Sequence, residues 1–214
     1  GVMLPPPLPP MIAITLDDTN LSDYTISYQL AAARSIPVTS YIVTDWIGQP
    51  GKLTWDQIHT MRNSNFGIEC HTKNHVDLLT LTEAELRANM TAVNTAFISA
   101  GLPPPEHHAY PYGKNSVVIQ AIIADYRYSA RTFGNIGDLI YDYEQDINWF
   151  DLRTEDIRQT TSFETVKGWI DAAIAQDRAL ILTVHKILEV PTSTYHCPLD
   201  LYEDLLDYVA AKRD

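Results

Sequence analysis

Short apolar stretches alternate with helical stretches from Met11 to Lys212, and this alternation constrains the fold more than any other feature of the sequence. The first apolar stretch, Met11–Leu16, is apolar on both faces, which is typical of a central strand in a parallel sheet. Strands that alternate with helices at this spacing predict parallel βαβ units. About seven strands in a chain of this length favour a distorted (β/α) barrel over a six-stranded open sheet.

The boundaries of these elements follow from apolar runs, capping residues, and glycine or proline breaks. We predict strands at Met11–Leu16, Val38–Val43, Phe66–Cys70, His107–Tyr110, Tyr128–Thr132, Trp149–Arg153 and Ala179–Val184. We predict helices at Leu21–Ser35, Thr54–Ser64, Thr82–Ala100, Ser116–Ala124, Ser162–Ala175 and Leu199–Lys212, and a long loop at Phe133–Asn148. We predict that residues 1–10 are a proline-rich extended linker or strap and that residues 11–214 form a single domain.

The charge and the cysteine content exclude several classes of protein. A net charge of −12, from 15 basic and 27 acidic residues, argues against nucleic acid or an anionic membrane as a partner. This charge suits a neutral or cationic substrate. No apolar run approaches the ~18 residues of a membrane span. Two cysteines are too few for a disulfide framework, so Cys70 and Cys197 either form one bridge or are buried thiols.

Two histidines follow the predicted strand Phe66–Cys70, at positions 71 and 75. If the strand continued through both, their Cα atoms would lie ~13 Å apart, too far for one metal ion. If the strand ends near His71 and the next three residues form one helical turn, His71 and His75 become neighbours. The pair is then half of a metal site, and the alternative is that both are polar loop residues.

Polar side chains follow most of the predicted strands. In parallel α/β folds the carboxyl ends of the strands meet on one face, where active sites are built. Two histidines and one aspartate leave a position open for water, which is typical of catalytic zinc sites. The simpler alternatives are a helix cap for the aspartate pair and a packed core histidine after the last strand. The residues at strand ends are Asp17, Asp18, His71, Tyr112, Arg131, Arg153 and His185.

Four motifs occur in a fixed order: T-L-D-D (Thr15–Asp18), H-T-K-N-H (His71–His75), A-Y-P-Y-G (Ala109–Gly113) and L-T-V-H (Leu182–His185). Together they resemble the motifs of the polysaccharide deacetylases, the NodB-homology family 4 of carbohydrate esterases. The resemblance extends over nearly the whole chain. The A-Y-P-Y-G and S-A-R-T forms resemble the branch that contains poly-N-acetylglucosamine deacetylases.

This resemblance implies a NodB-type distorted barrel over residues 11–214 and one bound divalent ion, zinc, with cobalt or nickel as substitutes. Asp18, His71 and His75 would be the metal ligands. The implied activity is hydrolysis of N-acetyl groups on glycans that contain N-acetylglucosamine. Two alternatives remain, an O-deacetylase of acetylated xylan and a catalytically inactive carbohydrate-binding relative.

The resemblance also assigns the remaining catalytic roles. Asp17 would be the general base that deprotonates a water activated by the metal. The backbone N–H of Tyr112 would stabilise the oxyanion, and His185 would be the general acid that protonates the leaving amine. We further expect an acetylated glycan as the partner, a monomer, and a secreted or cell-envelope location, although the sequence begins with no signal peptide.

The sequence departs from the family pattern near the base. Ala109 stands where the family commonly has the arginine that partners the base. We therefore predict that Arg131 or Arg153 reaches Asp17 from another strand end, with Arg131 favoured because its strand follows the Ala109 strand directly. Asp151 either orients His185 or caps a turn.

Overall fold

The computed structural model describes residues 10–134, 140–141 and 147–213. The proline-rich segment predicted at residues 1–10 lies outside these ranges except for Pro10. Much of the loop predicted at Phe133–Asn148 also lies outside them.

Seven parallel strands form one curled sheet, in the order β5-β4-β3-β2-β1-β8-β7, and β6 adds to β8 in the antiparallel direction. The parallel α/β, barrel-like architecture predicted from the sequence is confirmed. The strands are β1 (Met11–Leu16), β2 (Thr39–Ile42), β3 (Gly67–Cys70), β4 (His107–Ala109), β5 (Ser129–Arg131), β6 (Ile140–Tyr141), β7 (Glu155–Asp156) and β8 (Ala179–Val184).

The first strand lies at the centre of this sheet. β1 pairs with β8 over all six residues and with β2 on its other edge. Ile14 and Leu16 of β1 are buried in the core. Paired edges and a buried second half explain why β1 is mostly apolar, and Asp17 follows directly at its carboxyl end.

Helices follow most of the strands, and two begin with the reciprocal capping box that the sequence indicates, at Thr54 and Thr82. The predicted first helix begins as a π-helical turn, Asp23–Tyr28, before its regular part. No described helix is both long and apolar enough to cross a membrane. The regular helices are α1 (Gln29–Ala33), α2 (Trp55–Asn63), α3 (Glu83–Ser99), α4 (Val117–Ala124), α5 (Phe163–Ala175) and α6 (Leu199–Arg213).

The strand predicted at Trp149–Arg153 is wrong. The side chain of Asn148 accepts a hydrogen bond from the backbone N–H of Phe150 at 3.0 Å, and its carbonyl accepts one from the N–H of Asp151 at 3.0 Å. This local bonding of an asparagine stabilises a turn against extended pairing.

The segment after this turn closes the barrel. Leu152 forms a single bridge to Arg131 of β5, and its N–H donates to the carbonyl of Ala130 at 3.0 Å. Three residues later, β7 pairs with β8. One short stretch of chain therefore joins β5 at one side of the curled sheet to β8 at the other.

Both cysteines are free and buried, so the predicted alternative of a Cys70–Cys197 bridge is wrong. Cys70 ends β3, whereas Cys197 lies in one of two short strands that the sequence did not indicate. These strands, β9 (Ile187–Leu188) and β10 (Cys197–Pro198), pair with each other and hold the loop between them against the barrel mouth.

One histidine belongs to the core. His108 of β4 has no exposed surface, and its Nδ1 lies 3.3 Å from the Sγ of Cys70. Burial, and then the charge of Arg127, lowers the pKa of His108 well below its ordinary value. The imidazole is therefore neutral in the folded protein.

This neutral state predicts how stability depends on pH. In the unfolded chain His108 takes up a proton below pH ~6.5, but in the folded chain it does not. Its contribution to the free energy of unfolding is complete above that pH and is lost as the pH falls, by up to ~1.4 kcal/mol per pH unit. We expect His108→Leu to remove this contribution to the slope of the free energy of unfolding against pH, measured by urea unfolding between pH 5 and 7. Identical slopes in wild type and variant would contradict the prediction.

Candidate metal centre and catalytic cleft

The histidine pair lies on a tight turn at the end of β3. Thr72 and His75 both have left-handed backbone conformations, with φ of 71° and 54°. The Oγ1 of Thr72 accepts a hydrogen bond from the His75 N–H at 2.8 Å, and the Sγ of Cys70 accepts one from the Thr72 N–H at 3.4 Å. The rings of His71 and His75 are 4.9 Å apart. The predicted proximity is confirmed, but the turn is not the right-handed helical turn expected.

Asp18 completes a group of three converging ligand atoms. Its Oδ1 lies 3.4 Å from the Nε2 of His71 and 3.2 Å from the Nε2 of His75. This oxygen is buried and has no hydrogen-bond partner. Within the described ranges, no other group of three His, Cys, Asp or Glu side chains converges in this way.

The donor set fits a divalent transition-metal ion. The Nδ1 of His71 lies 2.8 Å from the carbonyl of Ala109, which can only accept, so Nδ1 carries the proton and Nε2 keeps its lone pair. The ring of His75 packs between Trp46, at 5.1 Å, and Tyr112, at 4.7 Å. Two imidazole nitrogens and one carboxylate oxygen, held with open space beside them, match the ligands that zinc prefers.

Beside this group, Asp17 forms a buried ion pair with Arg131. Both side chains are about 2% exposed, and the guanidinium lies 4.3 Å from the ring centre of Tyr41. The prediction that an arginine from another strand reaches Asp17 is confirmed for Arg131. The other candidate, Arg153, instead pairs with Asp151 at 2.7 Å.

The ion pair fixes the charge of Asp17. Burial alone would favour the neutral acid, but the Arg131 guanidinium, with smaller effects from His71 and His185, holds the pKa of Asp17 below its ordinary value. Asp17 is therefore a carboxylate in the folded protein, available to accept a proton.

His185 follows β8, the strand next to β1, and lines the same cleft. Its Nδ1 lies 3.9 Å from the Oδ1 of Asp156 in β7, and its ring packs against Phe133 at 4.8 Å. The carboxylate that faces His185 is thus Asp156 and not the predicted Asp151. Asp156 could hardly be found from the sequence, because β7 is two polar residues long and has no apolar run.

The loop after β4 brings Tyr112 to the cleft. Tyr112 has a left-handed backbone, with φ of 60°, and the residue is 57% exposed. The next residue, Gly113, also has a positive φ of 67°, and a Cβ there would lie 2.6 Å from the backbone oxygen of Phe133. Only glycine allows this close approach.

All six site residues predicted from the sequence line one cleft of about 430 Å³: Asp17, Asp18, His71, His75, Tyr112 and His185. Among the residues that follow β8 or lie in the β9–β10 loop, sequence reasoning missed three that line the cleft: Lys186, Ser193 and Tyr195. His196, which the sequence places in a loop that could border the cleft, also lines it. A larger groove, about 950 Å³, runs between α2 and α3 but contains none of the predicted site residues.

A comparison of sequences and a comparison of structures relate this chain to known proteins. A family model described as "Polysaccharide deacetylase" matches residues 5–130, more than half of the 214 residues. No curated protein sequence matches the chain significantly.

Several solved structures share the fold. The chitin deacetylase of the fungal pathogen Colletotrichum lindemuthianum is 21% identical, with 96% of this chain and 83% of that chain covered and a TM-score of 0.68. The Streptococcus pyogenes deacetylase PplD in complex with acetate is 19% identical, with 73% and 68% covered and a TM-score of 0.63. IcaB from Ammonifex degensii is 23% identical, with 56% and 58% covered and a TM-score of 0.52.

The geometry predicts which residues bind the metal. We expect Asp18→Ala, His71→Ala or His75→Ala to weaken zinc binding at least about 100-fold, because even outer-shell substitutions cost about 10–100-fold. Competition with a zinc-binding dye measures this affinity, and circular dichroism checks that each variant is folded. Asp17→Asn is the matched control and should keep most of the affinity. Equal losses for Asp17→Asn and Asp18→Ala would contradict the assignment.

Proposed function

The chain belongs to the polysaccharide deacetylase family, and from that premise we propose that it is a metal-dependent hydrolase of N-acetyl groups on glycans that contain N-acetylglucosamine. One observation carries the proposal: three converging ligand atoms lie in the same cleft as an ionised aspartate that a buried arginine holds in place. A site for sugar binding alone would have no need of this combination.

Asp18, His71 and His75 would hold the ion. When bound, a divalent ion lowers the pKa of a water and polarises the acetyl carbonyl. The protein contributes the orientation of these ligands through the Ala109 carbonyl and the left-handed turn at Thr72.

Asp17 would be the general base. Its carboxylate takes a proton from the attacking water, and Arg131 and the surrounding core keep it from rotating away. A misaligned base loses the hydrogen bond that starts the reaction, so the pairing matters for rate more than for ionisation.

His185 would deliver the proton that the leaving amine requires. It reaches the cleft from the end of β8, the strand next to that of Asp17, with Asp156 beside its Nδ1. The backbone N–H of Tyr112 would stabilise the negative oxygen that forms on the carbonyl. The products are acetate and a free amine on the sugar.

The expected setting follows from the substrate. A polymeric acetylated glycan would be met outside the cytoplasm, so the proposal includes a secreted or cell-envelope location and a monomeric enzyme. These points rest on the resemblance and on the nature of the substrate.

Acetate release tests the proposal directly. We expect the protein to release acetate from chitotetraose, to lose this activity after chelation, and to regain it with zinc, cobalt or nickel. Acetylated xylo-oligosaccharide is the parallel substrate, since an ester would need less help from His185. Release from xylan alone would favour the O-deacetylase, and binding of chitotetraose without acetate release would favour an inactive relative.

The two neighbouring aspartates are predicted to have different roles. Asp17→Asn should lower kcat by at least about 100-fold, the lower range for a positioned acid or base, and should keep the metal. Asp18→Asn should lose the metal together with the activity. Metal analysis of both purified variants separates the roles, and the opposite pattern would show that they are reversed.

The orienting arginine has a matched control in the same protein. We expect Arg131→Met to lower kcat about 10-fold or more at unchanged metal content, because a base held out of line loses rate steeply. Arg153→Met should have little effect, since Arg153 pairs with Asp151 and not with Asp17. Thermal unfolding of both variants shows whether each is folded at the assay temperature. Equal kcat for Arg131→Met and Arg153→Met would contradict the role of Arg131 in orienting Asp17.

A further inference from the structure

Arg158 follows β7 and pairs with the aspartate that faces His185. Its Nε donates a hydrogen bond to the Oδ2 of Asp156, and its backbone N–H donates one to the Oγ1 of Thr161 at 2.9 Å. Asp156 has no exposed surface, whereas the side chain of Arg158 is 33% exposed. Arg158 therefore holds one oxygen of a buried carboxylate whose other oxygen faces the Nδ1 of His185.

The guanidinium of Arg158 also lies against two aromatic rings. It is 5.8 Å from the ring centre of Phe133 and 5.2 Å from that of Tyr195. Both rings pack against His185, with ring centres 4.8 Å and 5.9 Å from that of the imidazole. Phe133, Tyr195 and His185 all line the catalytic cleft. One cation thus contacts the carboxylate beside His185 and the two aromatic rings that pack against it.

The positive charge of Arg158 also bears on the ionisation of Asp156. Burial raises the pKa of Asp156, and the hydrogen bond from Arg158, together with the charge of His185, opposes this shift without cancelling it. An ionised carboxylate stabilises a protonated imidazole beside it, and a general acid must be protonated before it can act. Arg158 thereby favours the charged form of Asp156 that the proton transfer needs.

The distance between Asp156 and His185 leaves room for control by Arg158. The Oδ1 of Asp156 is 3.9 Å from the Nδ1 of His185, which is longer than a hydrogen bond. Catalytic hydrogen bonds are often long before the substrate binds and shorten in the complex. Because Arg158 holds Oδ2, it fixes the rotamer that keeps Oδ1 directed at His185, so that this contact can shorten.

We propose that Arg158 is a positioning residue for the general acid, which holds Asp156 and the ring of His185 in line with the leaving amine. This inference rests on the proposed function and adds a residue to it. In the step concerned, the bond between the carbonyl carbon and the amine nitrogen breaks, and the nitrogen takes the proton from the Nε2 of His185, since Nδ1 faces Asp156. Arg158 gives up no proton in this step and acts through Asp156 and the two aromatic rings.

Two substrates with different leaving groups test this role. Chitotetraose releases an amine, which leaves poorly without a proton, whereas para-nitrophenyl acetate releases a stable phenolate that leaves without one. Both need the water that Asp17 deprotonates, so Asp17→Asn should lower both rates, and His185→Ala should lower mainly the first. The readout is the ratio of kcat/KM for chitotetraose to kcat/KM for para-nitrophenyl acetate, because any loss of folded or metal-loaded protein cancels in it.

We expect Arg158→Met to lower this ratio about 10-fold, mainly through kcat for chitotetraose, because a misaligned acid loses part of the roughly 100-fold or more that it contributes. Arg153→Met is the matched control. Arg153 also pairs with the aspartate two positions before it, Asp151, so its loss should leave the ratio unchanged.

A double variant separates positioning from a purely structural effect. If Arg158 acts through His185, Arg158→Met should cost little more on chitotetraose in a protein that already carries His185→Ala, because residues that act together are not additive. The full loss in both backgrounds, an unchanged ratio, or equal losses on both substrates would overturn only the role of Arg158. No acetate from chitotetraose with the unmodified protein would overturn the proposed deacetylase as well.

Discussion

The buried ion pair between Arg131 and Asp17 links the fold to the chemistry. Asp17 follows β1 and Arg131 ends β5, and three strands separate these two in the sheet. Their side chains can meet only because the sheet curls, with Leu152 and β7 bridging β5 to β8. Removing either partner would leave a buried charge uncompensated, which is strongly destabilising. The curvature of the sheet brings Arg131 to Asp17, and this contact determines both the ionisation and the orientation of the base.

Much of this site could be predicted from residue type and order. The aspartate pair, the two histidines and His185 each end an element, and parallel strands bring such ends together. Arg131 could be predicted because the usual position holds Ala109, so the partner of the base had to come from a neighbouring strand. The left-handed turn at Thr72 could not, because it depends on hydrogen bonds to the Cys70 sulfur and the Thr72 hydroxyl.

The parts that could not be predicted are those where short polar segments override the apolar pattern. Asn148 stabilises a turn within a predicted strand, and Asp156 lies on a strand of two polar residues. Composition likewise gives only the total charge, which suggested a neutral or cationic substrate. The loop between β9 and β10 lines the cleft with Ser193 and Tyr195, which the apolar pattern did not indicate. Specificity in this fold thus depends on the loops after the strands more than on the strands themselves.

We infer that Asp18, His71 and His75 bind one metal ion while Asp17 stays paired with Arg131. Anomalous X-ray diffraction at the zinc edge, from crystals of the zinc-loaded protein, tests it most directly. We expect one strong peak about 2.0–2.2 Å from an Asp18 oxygen and from the Nε2 atoms of both histidines, with the Asp17–Arg131 pair intact. A peak ligated by Asp17, or a zinc ion bound away from this turn, would contradict the account.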